Sequence, residues 1–123
     1  MNITYRIKED YKKYKENIKL RTMYLKDSEK YASIASFGIS AKKATNKMLE
    51  YYDIIGKLSH KISNFEKILY YHFDTDEIIV LDFFLNHTVQ ECADEWGISY
   101  RSVFRKITVL NKKYLGVKNG TNQ

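Results

Sequence analysis

The feature that most constrains the fold of this chain is the absence of proline from all 123 residues. Proline interrupts helices because it lacks an amide donor and its ring clashes with the preceding turn. Only five glycines occur, so a long helix would have few places to end. No stretch shows the clear two-residue alternation of a half-buried strand. We therefore predict an all-α fold.

The first predicted helix covers about residues 5 to 35. Its apolar side chains recur at steps of three, four and seven residues, which places them on one face. They are Ile7, Tyr11, Tyr14, Ile18 and Leu25. Arg21 and Ser28 interrupt this stripe, and Thr4 is a candidate N-cap.

A turn is predicted at residues 37–40, with Gly38 left-handed and Ser40 capping the next helix. Nine residues of that helix form a seam that steps by three and four. They are Ala41, Ala44, Met48, Tyr51, Ile55, Leu58, Ile62, Phe65 and Leu69. The seam would pack against the first helix in a hairpin, or join two copies as a homodimer through the 41–69 helix. Its aromatic and small side chains favour the hairpin.

Two helix starts are predicted next. Asp74 is followed by carboxylates that suit a first turn, ahead of a short apolar helix from Ile78 to Leu85. Thr88 and Glu91 then have the Thr-x-x-Glu spacing of a capping box. This box predicts a further helix that ends at Trp96 and Gly97.

Residues 88–115 have the features of a helix-turn-helix. Ala93 would lie where two helices cross, and Gly97 would take the left-handed conformation that the turn requires. Ser99 would cap a last helix running to about Tyr114. The apolar positions expected to join the two helices are Cys92, Trp96, Ile98 and Val103, and the stripe of the last helix is Val103, Ile107, Leu110 and Tyr114.

Basic charge is concentrated at this motif. The chain carries a net charge of +6, and residues 100–123 contain six Lys or Arg and no acid. Residues 27–99 contain seven basic and twelve acidic residues. A helix that enters the major groove has to be cationic or neutral, whereas a supporting helix can be acidic. The alternative is a plain helical hairpin whose basic residues form a solvated face.

Residues 75–115 resemble the promoter-reading region of bacterial sigma factors and, more closely, small phage-borne regulators of the ArpU and RinA kind. The shared pattern is Gly97-Ile98-Ser99, then Val103, an arginine-rich stretch and a closing Lys-Lys-aromatic-Leu. The resemblance implies a helical N-terminal region followed by a sigma-like helix-turn-helix. It also implies a regulator from a phage or mobile element that binds double-stranded DNA.

Nine residues are predicted to contact DNA or to position the contacts. They are Ser99, Tyr100, Arg101, Ser102, Phe104, Arg105, Lys106, Lys112 and Lys113. Those from Tyr100 to Arg105 are expected to face base edges, because an arginine fork matches two acceptors of guanine. The three lysines are expected to contact phosphates as point charges.

No pattern in the sequence indicates an enzyme. The three histidines are not spaced as a metal site, Cys92 lies on an apolar helix face, and no phosphate loop or catalytic triad is visible. We expect no catalytic residue, cofactor or metal. No apolar run is long enough to span a membrane and the N-terminus lacks a signal peptide, so we expect a cytoplasmic protein.

The predicted organisation is a helical hairpin over residues 1–73, a helix-turn-helix domain over 74–116 and a flexible tail over 117–123. The predicted function is sequence-specific transcription regulation, with RNA polymerase as a further partner. The alternative is a helical adaptor or inhibitor that binds a host protein and retains the helix-turn-helix as a scaffold. A degenerate second helix-turn-helix over residues 28–48 is also left open.

Overall fold

The computed structural model describes residues 5–36, 38 and 41–120. Five helices and no strand lie in these ranges, and helices cover 92% of them, which confirms the all-α prediction. The helices are α1 (Arg6–Ser36), α2 (Ala41–His72), α3 (Thr75–Asn86), α4 (Val89–Trp96) and α5 (Tyr100–Gly120). None of these described helices combines the length and the apolar character needed to cross a lipid bilayer.

The chain divides into two compact units whose boundaries fall inside α1 and α2. The middle unit comprises residues 13–64, and the terminal unit comprises the residues up to 12 and those from 65 onward. The sequence placed the boundary after residue 73 instead. The difference arises because the first turns of α1 and the last turns of α2 contribute side chains to the core around α3, α4 and α5.

The core of the terminal unit is formed by aromatic and branched side chains from all five helices. The ring of Tyr5 lies edge-on to Phe84 at 5.8 Å, and the ring of Phe65 lies 6.2 Å from that of Tyr114. The predicted stripe of α5 is buried along its whole length. The largest fully buried side chains are Tyr114, Phe84, Ile7, Leu81, Ile107, Val103 and Cys92.

The predicted capping box at Thr88 is formed, and the predicted helix start at Asp74 is a second capping box. The Asp74 carboxylate accepts from the backbone N–H of Glu77 at 2.8 Å, and the Glu77 carboxylate accepts from that of Asp74 at 3.0 Å. Thr88 and Glu91 make the same pair of bonds at 3.2 and 3.0 Å. These bonds satisfy amide donors that have no partner in the first turn of a helix, and so they fix where α3 and α4 begin.

The last helix is longer than the sequence predicted. α5 continues to Gly120, whereas we expected it to end near Tyr114 and to be followed by a polar tail. The ammonium of Lys118 donates to the Asp10 carboxylate at 2.6 Å and lies 6.0 Å from the centre of the Tyr114 ring. A partner 108 residues away in sequence therefore holds the final turns in place.

In the middle unit, α1 and α2 pack through side chains of both helices. The Tyr51 ring contacts those of Tyr24 and Tyr31, with centroids 5.2 and 5.6 Å apart. The Arg21 guanidinium donates to the Ser59 hydroxyl at 3.3 Å. The seam residue Tyr51 thus faces α1 in this unit.

The predicted stripe of α1 is partly wrong. Ser28, which we treated as an interruption, is buried, whereas Leu25 is 43% exposed. Gly38 has a φ of +77°, as expected for the turn. The other predicted turn residues, Phe37, Ile39 and Ser40, and the Thr4 cap lie outside the described residues, and so does part of the postulated second helix-turn-helix.

Candidate nucleic-acid interface

The turn between α4 and α5 has the predicted geometry. Gly97 has φ +65° and ψ +36°, and its amide donates to the carbonyl of Ala93, which also accepts from Ile98 at 3.1 Å. Ala93 is buried, and its small side chain allows the two helices to approach each other. The Ser99 hydroxyl accepts from the backbone N–H of Ser102 at 3.2 Å and so caps α5.

The residues expected to join the two helices are inward-facing to different degrees. Cys92 and Val103 are fully buried, while Trp96 and Ile98 are half-buried. The Trp96 ring lies 5.9 Å from that of Phe83 in α3. The turn is therefore supported by all three C-terminal helices, and the direction of α5 is fixed from its first residue.

One face of α5 points away from the core and carries most of the exposed positive charge. Arg101, Arg105 and Lys112 lie on this face at helical spacing, and all three are exposed. None of the three forms an ion pair within the described part of the chain. We call these three side chains the cationic face.

Lys106 and Lys113 lie on a different side of α5. The Lys113 ammonium donates to the Glu77 carboxylate at 2.7 Å and sits 4.9 Å from the centre of the Phe73 ring. Lys106 lines a groove together with Asp76 and Glu77 of α3. The structure thus separates Lys106 and Lys113, which lie beside the acidic start of α3, from Lys112, and the prediction that all three contact phosphates stays a prediction.

The ion pair of Lys113 also changes the titration of its partner. The hydrogen bond from Lys113, together with the backbone bond from Asp74, lowers the pKa of the Glu77 carboxyl below its usual value. The ion pair with Lys113 therefore persists to a lower pH than the ordinary pKa of a glutamate would allow. Lys113 functions in the packing of α3 on α5.

The predicted base-facing residues other than the two arginines are held by the protein itself. The hydroxyl of Tyr100 donates to the side-chain carbonyl of Gln90 in α4, although the Tyr100 ring is exposed. Phe104 is half-buried, and its backbone carbonyl accepts from the Tyr5 hydroxyl at 3.3 Å. Ser102 is half-buried against the Ser99 cap. These residues position α5, and only Tyr100 presents a large exposed surface.

The first turns of α1 support α5 along a second flank, and no local pattern in the sequence indicated this contact. The Tyr5 hydroxyl lies 3.1 Å from the Thr108 hydroxyl. The backbone N–H of Ile7 donates to the Asn111 side chain at 3.1 Å, which satisfies one of the orphan donors at the start of α1. The cationic face is thus built on a helix that is fixed from two sides.

Sequence reasoning also missed Val109. This side chain is 67% exposed, four residues after Arg105 and three before Lys112, so it lies between the cationic face and the groove that it lines with Lys106, Asp76 and Glu77. The sequence signal that could have revealed Val109 is a β-branched apolar residue outside the apolar stripe of α5, with polar residues three and four positions away on both sides.

Cys92 is fully buried, and burial raises the pKa of its thiol, so this group is a core residue of α4. No cluster of three or more His, Cys, Asp or Glu side chains arranged to hold a metal ion occurs among the described residues.

Comparison with known proteins gives no relative: no protein family, no curated protein and no solved structure matches this chain. The resemblance of residues 75–115 to sigma-like phage regulators therefore stays a prediction.

Proposed function

We propose that the protein is a sequence-specific DNA-binding transcriptional regulator that reads double-stranded DNA with the first turns of α5. The observation that carries this proposal is the cationic face: three exposed cations that form no ion pair with any described residue, on a helix whose direction is fixed by the Gly97 turn. A face that only kept the protein in solution would not require this support from α1, α3 and α4.

The spacing of the two arginines suits a major groove. Arg101 and Arg105 are four residues apart, which corresponds to about 6 Å along the helix axis. A helix fits the groove, which is roughly 12 Å wide, and two side chains at this separation reach neighbouring base pairs. Each guanidinium can donate two hydrogen bonds to the O6 and N7 acceptors of guanine.

Lys112 has a different role in this proposal. It lies about 10 Å further along α5 than Arg105. At that distance the helix leaves the groove, and an ammonium group there would meet backbone phosphate. Such a contact adds affinity for every sequence and makes binding dependent on salt, because it displaces bound cations from the DNA.

The distribution of acidic side chains supports one orientation. Asp94 and Glu95 are exposed on α4, and Asp76 is exposed at the start of α3. Phosphate groups would repel these carboxylates, so α5 and not α4 would enter the groove.

The biological setting rests on the resemblance alone. We propose a cytoplasmic regulator encoded by a phage or mobile element, with RNA polymerase as a partner of the helical N-terminal region or of the acidic stretch from Asp74 to Glu95. The rival function is an adaptor or inhibitor that binds a host protein and retains the helix-turn-helix as a scaffold.

The experiment that tests the proposal selects duplexes from a random DNA library with the full-length protein. Fluorescence anisotropy then compares the selected duplex with a scrambled duplex of equal composition at two salt concentrations. The proposal expects a tighter Kd for the selected duplex at both concentrations and a linear fall of log K with log salt. Equal binding of both duplexes, or none, would contradict it and leave the adaptor as the leading function.

A further inference from the structure

The middle unit has a thin core compared with the terminal unit. Among its described residues only Ser28, Ala44, Leu58 and Ile62 are buried, and one of these is polar. Eleven large hydrophobic side chains are exposed among the described residues, and six of them lie in this unit, which holds fewer than half of the chain. They are Leu20, Met23, Leu25, Ile34, Leu49 and Tyr52. Two helices alone leave such side chains in water because they have no third layer to cover them.

One stripe of α2 next to the inner seam is uncharged. Its residues step by four and three along the helix, which is the spacing of a helix-packing seam. They are Thr45, Leu49, Tyr52, Gly56, Ser59 and Ser63. Leu49 is 56% exposed and Tyr52 is 49% exposed. A Cβ atom built on Gly56 would meet nothing within 4 Å, so the backbone there is open to another helix. We call this set the outer stripe.

The two flanks of the α1–α2 pair differ in charge. On one flank, Ile34 lines a shallow pocket with Lys43 and Lys47. On the other flank, Ser59 of the outer stripe accepts from Arg21, and the exposed Leu25 lies one turn after Arg21. The flank with the outer stripe therefore gathers Leu25 of α1 with Leu49 and Tyr52 of α2, and its nearby cations are Arg21, Lys57 and Lys61. The opposite flank combines Ile34 with Lys43 and Lys47.

We propose that the outer stripe is the contact with a second copy of this chain, forming a homodimer through a four-helix arrangement of two middle units. The sequence suggested a dimer through the inner seam, but Tyr51 and Ala44 of that seam already pack inside the unit. Pairing two outer stripes would cover Leu49 and Tyr52 of both copies.

Charge is the first argument for a second copy as the occupant. Each chain carries +6, so two copies repel each other wherever lysines meet. The outer stripe itself contains no charged residue. Two lysines line the hollow beside Tyr52 and Gly56, but Lys57 is paired with Asp53 at 3.1 Å, so two paired stripes would bring few unpaired cations together. An acidic partner would be expected to bind the lysine-lined flank instead.

The available area is the second argument. A face spanning residues 45–63 is roughly 27 Å long at 1.5 Å per residue, and two neighbouring helices make it about 20 Å wide. Joining two such faces would remove on the order of 1,000 Å² of surface from water, which is near the lower limit for specific protein interfaces. The dimer is expected to dissociate at low concentration.

The test measures the molar mass of the full-length protein by light scattering during size-exclusion chromatography, over a range of concentrations. The expected mass at high concentration is about twice the 14.6 kDa of the chain. Tyr52→Glu would place a charge in the dry centre of the contact and should weaken dimerisation on the order of 100-fold. Leu49→Glu should have the same effect.

A matched control separates this contact from general exposure of apolar groups. Met23 has the same 49% exposure as Tyr52, but it lies three turns before Ile34 on the lysine-lined flank. Met23→Glu should leave the dimer intact, with helical circular dichroism unchanged in all variants. A monomeric parent at all concentrations, or equal dissociation by Met23→Glu and Tyr52→Glu, would overturn the proposal. The molar mass is measured without DNA, so this experiment tests the dimer independently of the proposed function.

Discussion

The carboxylate of Asp10, in the second turn of α1, accepts a hydrogen bond from the hydroxyl of Tyr114 in α5, 104 residues later in the chain. Lys118 and Arg6 donate to the same carboxylate at 2.6 and 3.0 Å. Burial alone would raise the pKa of Asp10, but the bonds from Lys118 and Tyr114 outweigh it and hold the pKa below its usual value. Burial and the Asp10 carboxylate raise the pKa of Tyr114. This cluster fixes α1 to the end of the candidate recognition helix.

The lowered pKa predicts how stability depends on pH. The folded state favours the charged form of Asp10. The stabilisation from this charge is therefore complete above the pKa that Asp10 has in the unfolded chain, and it is lost as the pH falls through the pKa of Asp10 in the folded protein. Asp10→Asn should lower the free energy of unfolding by about 1–3 kcal/mol at pH 7. Urea denaturation should show this difference shrinking toward zero below about pH 3. A difference that stays constant between pH 7 and pH 3 would show that the charge of Asp10 is not its cause.

The left-handed turn predicts opposite effects of one substitution at two glycines. Gly97→Ala forces a Cβ into a φ of +65° and should destabilise the fold by roughly 1–2 kcal/mol. Gly116 lies inside α5 with open space around it, so Gly116→Ala should stabilise by up to about 1 kcal/mol. Thermal melts of the two variants give the comparison. Shifts of the same sign would mean that the turn is misplaced.

Substitutions of the adjacent residues Lys112 and Lys113 should have different effects, one on DNA affinity and the other on protein stability. Lys112→Ala should weaken binding to every duplex about equally and reduce the salt slope by roughly one unit. Lys113→Ala should leave the salt slope unchanged and lower the melting temperature, because it breaks the bond to Glu77. Anisotropy titrations and melts of both variants test this pair. A salt slope for Lys112→Ala equal to that of the parent would remove Lys112 from the phosphate contacts.

Val109 is expected to contact a thymine methyl group, since it is an exposed apolar side chain beside the two arginines that we propose to read bases. Replacing single thymines of the selected duplex by uracil removes only the methyl group. At one position this should cost the parent about fourfold in affinity, the value of one buried methyl group at about 0.8 kcal/mol. The same replacement should cost Val109→Ala much less. If no thymine position distinguishes the two proteins, Val109 does not read the base.

The parts of the fold that sequence predicted are those set by neighbouring residues. The helix start at Asp74, the capping box at Thr88, the left-handed Gly97 and the α5 stripe each depend on side chains within a few positions. Such features follow from local sterics and hydrogen bonding.

The parts that sequence missed depend on contacts between distant residues. No residue near Asp10 or Lys118 in sequence indicates that the two side chains pair. Because this pairing holds the last turns of α5, the predicted helix was too short. In α1 the inward face includes Ser28 and leaves Leu25 exposed, because a straight helix of 3.6 residues per turn drifts away from a seven-residue pattern over several turns. Spacing also could not distinguish Lys113 from Lys112, because the difference depends on the contact of Lys113 with the distant residue Glu77.

The cationic face is tested most directly by Arg101→Ala and Arg105→Ala, each measured by anisotropy on the selected duplex and on its scrambled counterpart. Lys106→Ala serves as the control, because Lys106 lies on α5 but lines the groove next to Asp76. Each arginine variant should lose about 1–3 kcal/mol of binding free energy on the selected duplex, lose much less on the scrambled one and relax the preference at one base position. Small losses that are equal on both duplexes and equal to that of Lys106→Ala would contradict the assignment of α5 as the recognition helix.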